Sequence, residues 1–299
     1  MHFVEQVQKL NIECHVDEPL SRHTTFHIGG PARYFAVPED EGAFVALLRL
    51  IGGSGLRFFV LGRGSNLLVS DDGFDGVVIS TARMQSVRIA DDGTVHAECG
   101  AQLRVIANAA ADASLTGMEF AHGIPGSLGG AVRMNAGAYG GEMAQVVTSI
   151  RCYNTKTQEI ETIGAESLCF SHRNSVLSAR SELLLLSATL QLRAGDASQI
   201  RDTMAELRAR RQASQPLEYP SAGSVFKRPQ GYFAGKLIED CALKGYTIGG
   251  AQVSEKHAGF IINRGGATAA DVRALVAHIQ KTVQDRFDVL LEPEIIFLD

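Results

Sequence analysis

Tryptophan is absent, and no two cysteines stand in a Cys-x-x-Cys spacing. The five cysteines, Cys14, Cys99, Cys152, Cys169 and Cys241, are odd in number and widely spread. That distribution offers neither a disulfide framework nor a zinc ligand set. No metal site is expected, and the thiols read as reduced, as in a cytoplasmic protein. An excess of positive charge is also missing. A formal net charge of −5 and a pI near 6.0 argue against a general nucleic-acid binder. No uncharged apolar run reaches membrane-spanning length, and Met1-His2-Phe3-Val4-Glu5 lacks a charged-then-apolar leader pattern, so no membrane partner is expected. What is present is ordinary in bulk: 299 residues, 45% hydrophobic and 20% charged, long enough for two domains with real cores.

Glycine is distributed unevenly. Eight of the 31 glycines fall in the 25 residues from Gly117 to Gly141. Met118, Phe120, Ile124, Leu128, Val132, Met134 and Tyr139 are threaded between them, so the stretch is not low complexity. Such a backbone approaches something closely while remaining packed on a core. Closely spaced N–H groups without side chains in the way suit a phosphate or a flat ring. A second segment, Gly62-Arg63-Gly64-Ser65-Asn66, follows the apolar run Arg57–Leu61 and precedes Leu67-Leu68-Val69. It is not a Rossmann fingerprint, because no third glycine opens a helix, and no Gly-Lys-Ser/Thr follows to make a Walker loop. Alone, it reads equally as a tight turn between strands. Together the two segments point to one large nucleotide cofactor held at two places.

Short strand-like runs recur before residue 195: 34–37, 58–60, 76–79, 86–89, 95–98, 149–153, 159–163 and 183–192. Helical patterns interrupt them at 40–51 and 103–113, which indicates an α+β domain. Asp91-Asp92-Gly93 reads as a hairpin turn. Residues 197–214 predict a long helix with Ile200, Met204 and Leu207 on one face, stopped at Gln215-Pro216. Its Arg208, Arg210 and Arg211 form a solvated face or partner a phosphate. Helices at 233–242 and 269–287, with strands near 258–263 and 295–298, predict a smaller second domain. Thr268 is the expected N-cap of the last helix, with Asp271 in its first turn.

Several motifs together carry a resemblance. They are Thr24-Thr25-Phe26-His27-Ile28-Gly29-Gly30-Pro31-Ala32, Gly62-Arg63-Gly64-Ser65-Asn66-Leu67-Leu68, Gly123-Ile124-Pro125-Gly126-Ser127 and Met134-Asn135-Ala136-Gly137-Ala138-Tyr139-Gly140. In the second half come Ser221-Ala222-Gly223-Ser224-Val225-Phe226-Lys227-Arg228-Pro229, Gly249-Gly250-Ala251-Gln252-Val253 and Leu291-Glu292-Pro293-Glu294. Nearly end to end, the chain resembles the UDP-N-acetylenolpyruvoylglucosamine reductase family, flavoenzymes of bacterial cell-wall precursor synthesis. The spacing is similar to that of a shorter subclass without a substrate-covering insertion. The resemblance implies an α+β fold with a two-part FAD-binding domain of the vanillyl-alcohol-oxidase type. That domain would span 1–195 with a split near 80, followed by a substrate domain over 196–299. It further implies FAD as cofactor, NADPH as co-substrate, UDP-N-acetylglucosamine enolpyruvate as substrate, and a monomer.

The implied chemistry delivers hydride from flavin N5 to C3 of the enolpyruvyl group and a proton to C2. The charge that builds up in the carboxylate must be stabilised. Ser224 matches the family's proton donor, although by residue type alone it is a turn or N-cap serine. Arg173, in Phe170-Ser171-His172-Arg173-Asn174-Ser175, matches the family arginine, whose planar fork suits a carboxylate. Glu294 matches the family glutamate and is preferred over Glu292 by register alone. Gly62 to Asn66 would cradle the pyrophosphate, with the Ser65 hydroxyl and the Asn66 amide as added donors. Gly123, Ile124, Pro125, Gly126, Ser127, Gly130, Met134, Asn135 and Ala136 would line the isoalloxazine and adenine ends. Tyr139, His172, Lys227, Gln252, His257 and Asn263 are weaker substrate or nicotinamide candidates, and Lys227 and Lys236 are candidates for the UDP diphosphate.

One departure stands out. The family usually carries tyrosine before the arginine, and this chain has His172, which predicts altered substrate binding or a changed pH profile. His122 beside Gly123 raises covalent flavin attachment, but the resembling reductases do not use it, so a packed or polar loop histidine is expected. Two other classes compete with the reductase. A different enzyme on the same flavin fold is expected to lack the Ala222-Gly223-Ser224 and Glu292-Pro293-Glu294 elements. A non-catalytic nucleotide-binding module has no use for serine, arginine and glutamate in three separate motifs.

Overall fold

A computed structural model describes residues 3–299; Met1 and His2, where the reading of the N-terminus began, lie outside the described residues. The α+β expectation holds. The expected strands and helices form close to their predicted ranges, including helices Ala197–Ser214 and Ala269–Phe287 at the predicted ends. Ile200 and Met204 of the former are buried while most of its other side chains are exposed, so one narrow stripe anchors a largely solvated helix. At the latter, Thr268 Oγ1 accepts from Asp271 N (3.0 Å) and Asp271 returns the bond to Thr268 N (3.0 Å). The carboxylate of Asp71 accepts from Ala269 N and Ala270 N at 2.8 and 3.0 Å. Four otherwise unsatisfied donors at that helix start are thereby met.

The chain divides into two compact units. One holds the residues up to His15, Tyr34–Arg63 and Val77–Arg210; the other holds Val16–Arg33, Gly64–Gly76 and Arg211–Asp299. This partition is interleaved and differs from a single change near residue 195 with a split near 80. The physical reason lies in pairing at long sequence distance. Strand Leu67–Val69 runs parallel to Ile296–Leu298, so a short N-terminal segment belongs with the C-terminal unit.

The first unit is built on a five-stranded antiparallel sheet in the order Glu159–Gly164, Val147–Asn154, Leu183–Gln191, Thr94–Glu98, Val87–Ile89. Asp91-Asp92-Gly93 makes the last hairpin: Gly93 has φ +81° and Gly93 N donates to Ala90 O at 3.1 Å. In the same unit Phe58–Leu61 pairs in parallel with Val77–Ser80. Helices Leu103–Asp112 and Leu128–Arg133 pack on the sheet and bury Leu103, Ile106, Leu128 and Val132 among Met118, Ile150 and Leu186. The second of these helices lies inside the glycine run, where the sequence reading placed no helix. Leu128, Ala131 and Val132 are spaced to bury one face, and that burial outweighs the poor helix propensity of Gly129 and Gly130.

The second unit carries a four-stranded antiparallel sheet in the order Ser221–Ser224, Phe260–Asn263, Ala251–Val253, Thr247–Ile248. Helices Ala234–Asp240 and Ala269–Phe287 supply Ile238, Val272, Leu275, Ile279 and Val283 to its core, with Phe26, Leu68 and Val225.

Candidate functional site

The first glycine segment leaves strand Phe58–Leu61. A Cβ built on Gly62 would fall 2.2 Å from Ser127 Oγ, so the two glycine-rich segments pass within van der Waals contact in the first unit. Gly64 has φ +60°, and a Cβ there would lie 2.3 Å from His23 O, so no other residue fits without moving backbone. Among the described residues, no acceptor meets the backbone N–H groups of Arg63, Gly64 and Ser65. Ser127 is buried, and its carbonyl accepts from Ala131 N at 2.9 Å as the N-cap of helix Leu128–Arg133. At Gly130 a Cβ would meet nothing within 4 Å, which leaves an open face on the backbone. Gly123, Ile124, Pro125 and Gly126 form the turn before that helix, with Ile124 N on Ala121 O (3.0 Å) and Leu103 N on Gly126 O (3.1 Å).

His122, at the head of this turn, has a buried Nδ1 that meets no hydrogen-bond partner. Burial holds its ring below the usual imidazole range, and Arg208 and Arg104 reinforce the effect. Within the first unit, the free N–H of Arg63, an open glycine face at Gly130 and an orphaned ring nitrogen at His122 are what a large polar cofactor would satisfy. The residues present fit an FAD.

Asn135 is buried with φ +44°. Its Nδ2 donates to Ser171 O (3.2 Å), and its Oδ1 accepts from Ala144 N (2.9 Å). The amide of Asn135 therefore braces the fold, while Met134 and Ala136 make backbone bonds to Gly130 O and Ala131 O. The Ser171 carbonyl belongs to a turn closed by Ser171 N on Asn174 O and Asn174 N on Ser171 O, both 3.1 Å. His172 and Arg173 form its middle; His172 is exposed, and Arg173 is half-buried with φ +56°. A left-handed arginine costs on the order of 1 kcal/mol, so the turn is held by its surroundings. The glycine-rich segment thus positions the arginine turn, a link invisible in the sequence. Tyr139 also has φ +56°; it is 40% exposed, with the Arg210 guanidinium 4.9 Å from its ring centre.

In the second unit, Ser224 and Glu294 are neighbours through the backbone. Glu294 N donates to Val225 O at 2.7 Å, and Lys227 N donates to Glu292 O at 2.9 Å. The Leu291–Glu294 stretch therefore runs beside the serine motif. Ser224 and Glu294 are both half-buried. Glu292 is instead exposed and paired with Lys227 Nζ at 3.1 Å, which separates the two glutamates by environment as well as by register. Gly223 has φ +77° and open space at its Cβ position. Asn66 Nδ2 donates to Glu294 O (3.0 Å), and Ile296 N donates to Asn66 O (2.9 Å). The side chain assigned from sequence to a phosphate clamps the glutamate strand.

Three of the weaker candidates are braces as well. Asn263 Nδ2 donates to Phe26 O (3.0 Å), and its Oδ1 accepts from Gly265 N (2.9 Å) and Ala267 N (3.2 Å). Gln252 Nε2 donates to Gly245 O and Thr247 Oγ1, both at 3.1 Å. His257 Nδ1 accepts from Gly259 N (3.1 Å), its ring stands edge-on to Phe260, and burial pushes its pKa down. Lys227 and Lys236 are exposed and paired with Glu292 and Asp240. Among the described residues there is no cluster of His, Cys, Asp or Glu able to hold a metal ion, and no helix long and apolar enough to cross a membrane.

Comparison with known proteins agrees with this geometry. Residues 32–163 match the FAD binding domain family, and residues 215–298 match the C-terminal domain of UDP-N-acetylenolpyruvoylglucosamine reductase. The chain is 48% identical over 280 residues to the UDP-N-acetylenolpyruvoylglucosamine reductase of Clostridium perfringens, covering 94% of this chain and 91% of that one. It is 49% identical over 283 residues to the enzyme of the same name from Caldanaerobacter subterraneus subsp. tengcongensis, covering 95% and 93%. The crystal structure of UDP-N-acetylenolpyruvylglucosamine reductase from Thermus caldophilus superposes with a TM-score of 0.81 at 33% identity, over 96% of this chain and 99% of that one. With relatives this similar along nearly its whole length, the chain belongs to the UDP-N-acetylenolpyruvoylglucosamine reductase family.

Proposed function

We propose that the protein is an FAD-dependent oxidoreductase that uses NADPH to reduce UDP-N-acetylglucosamine enolpyruvate to UDP-N-acetylmuramate, a step in peptidoglycan precursor synthesis. Five free cysteines accord with a cytoplasmic setting. FAD bound here would supply two-electron hydride chemistry between NADPH and C3 of the enolpyruvyl group. The N–H groups of Arg63, Gly64 and Ser65 would hold its pyrophosphate, and Gly123 to Ser127 with Gly130 would line its ring systems.

The remaining steps fall to side chains. Arg173 grips the enolpyruvyl carboxylate and stabilises the negative charge that grows there as hydride adds. Ser224 gives its hydroxyl proton to C2. A serine hydroxyl is a weak acid, so it serves only when held close to the carbon, which the open space at Gly223 favours. Glu294 polarises the carboxylate end. The observation that carries this reading is the Glu294 N to Val225 O bond of 2.7 Å, which sets the glutamate one residue from the serine.

An anaerobic spectrum of the purified protein tests it. NADPH should bleach the flavin, and UDP-N-acetylglucosamine enolpyruvate should restore the oxidised spectrum. Bleaching without recovery would remove the substrate assignment, and a protein that never retains flavin would remove the whole account.

A further inference from the structure

On helix Ala197–Ser214, Arg201 pairs with Asp112 (2.7 Å) and Arg210 with Glu206 (3.8 Å). Arg208 differs: among the described residues its guanidinium makes neither a hydrogen bond nor an ion pair. It follows the buried Ile200 and Met204 at intervals of four, so it lies on the helix face turned toward the first unit. Arg104, at the start of helix Leu103–Asp112, is exposed and equally unpaired among the described residues. Leu103 N on Gly126 O (3.1 Å) and the bridge between Gln102 and Ser127 hold that helix start against the turn headed by His122. From the long helix, the Arg210 guanidinium lies 4.9 Å from the Tyr139 ring centre. A Cβ on Gly141 would fall 2.6 Å from the Phe120 ring, so the Tyr139 hairpin packs close to His122 in turn. After burial, the charges of Arg208 and then Arg104 hold the His122 ring below its usual range. Two guanidiniums thus converge on one turn with no carboxylate paired to either, a like-charge arrangement that an anion would relieve.

We propose that Arg104 and Arg208 hold the ribose 2′-phosphate of the reducing dinucleotide and set its preference for NADPH over NADH. That phosphate is a monoester with roughly two negative charges near neutral pH and three terminal oxygens. Two planar guanidinium forks match it in charge and in shape. The flavin diphosphate is a poorer fit, because it carries less charge per phosphate and the backbone N–H groups at 63–65 already suit it. Position agrees. NADPH must bring its nicotinamide to the flavin, and the two arginines flank the turn at Gly123–Ser127 that would line the flavin rings. The arginine run of the long helix admits a solvated face or a phosphate partner, and Arg208 is the member placed for the phosphate. The inference rests on the proposed function, from which it takes NADPH as the reductant.

The variants are Arg104→Ala, Arg208→Ala and the conservative Arg208→Lys, with Arg201→Ala as a control on the same helix, all in FAD-loaded enzyme. Adenosine 2′,5′-bisphosphate and 5′-AMP are titrated by calorimetry, and the rate of flavin bleaching is followed against NADPH and against NADH. Arg104→Ala and Arg208→Ala should each raise the bisphosphate Kd, and the NADPH concentration for half-maximal bleaching, by about tenfold to a hundredfold. The 5′-AMP and NADH values should stay where they are. Arg208→Lys should recover most of the loss, and Arg201→Ala should show none. Equal shifts for NADPH and NADH, or no shift for either, would overturn the proposal. Loss of FAD from the two alanine variants would assign the arginines to the flavin and overturn it as well. A wild-type enzyme that binds the bisphosphate through these arginines, yet fails to bleach with NADPH or to recover with the enolpyruvyl substrate, would fault the proposed function and leave the phosphate site standing.

Discussion

Ser224 is where the chemistry is most exposed to test at the residue scale. Ser224→Ala removes the proposed proton but nothing from the glycine segments. Reoxidation of reduced flavin by the enolpyruvyl substrate should therefore slow by roughly 10²- to 10⁴-fold, while bleaching by NADPH keeps its rate. Rapid-mixing spectroscopy reads the two halves separately; equal slowing of both would deny the serine its role. Glycine positions make a second contrast. At Gly62 an added methyl meets the rotatable Ser127 hydroxyl, whereas at Gly64 it meets the His23 carbonyl in a backbone already at φ +60°. Gly64→Ala should therefore lower the thermal midpoint more than Gly62→Ala, by ~1 to 2 kcal/mol for the left-handed backbone alone, with the clash added to it.

Among elements, the arginine turn depends on a neighbour far away in the chain. Asn135→Asp keeps the acceptor facing Ala144 N but removes the donor to Ser171 O. A buried carbonyl that loses its partner costs ~1 to 3 kcal/mol, so the turn at 171–174 should exchange its amide hydrogens faster. If Arg173 acts on the substrate, kcat/KM should fall in the same variant while flavin content stays. Unaltered exchange in that turn would show that Asn135 is not its anchor. The turn also shows how far sequence reading reached. Arg173 was singled out by its motif, but the anchor of its turn was not, because Asn135 lies 36 residues from Ser171 and an asparagine in a glycine run looks like one more loop residue. The bracing bond of Asn66 was hidden for the same reason: the Glu294 carbonyl that its side chain meets is 228 residues distant.

For the whole molecule, burial sets both thiol reactivity and the response to acid. Burial pushes the Cys99 and Cys152 thiols up to about 12 and Cys14 up to about 11, whereas Cys169 is exposed. A thiol reagent at neutral pH should label Cys169 first and reach Cys99 and Cys152 only on denaturation, as peptide mapping would report. The histidines set the acid side. His122 and His257 are held below the usual imidazole range chiefly by burial, so the unfolded chain binds protons more readily than the folded one. Their contribution is present above the ordinary imidazole pKa of about 6.5 and is lost as pH falls through the lower folded values. Denaturant midpoints should decline below that pH. His257→Asn, which keeps an acceptor for Gly259 N, should shallow the decline; an identical pH dependence would exclude His257 as a source.

The sequence by itself determined whatever depends on near neighbours. It set the ends of helices Ala197–Ser214 and Ala269–Phe287, the Asp91-Asp92-Gly93 hairpin, the Thr268 cap, and the motifs that place the chain in its family. Propensity, capping and local hydrophobic period act over a few residues, so one reading of the chain recovers them. Only the tertiary structure decided that Leu67–Val69 pairs with Ile296–Leu298, and that Asp71 caps a helix 198 residues away. It alone assigned Asn66, Asn135 and Asn263 as braces. A polar side chain's partner is chosen by packing in three dimensions, and an amide gives the same signal in sequence whether it faces a ligand or a distant carbonyl.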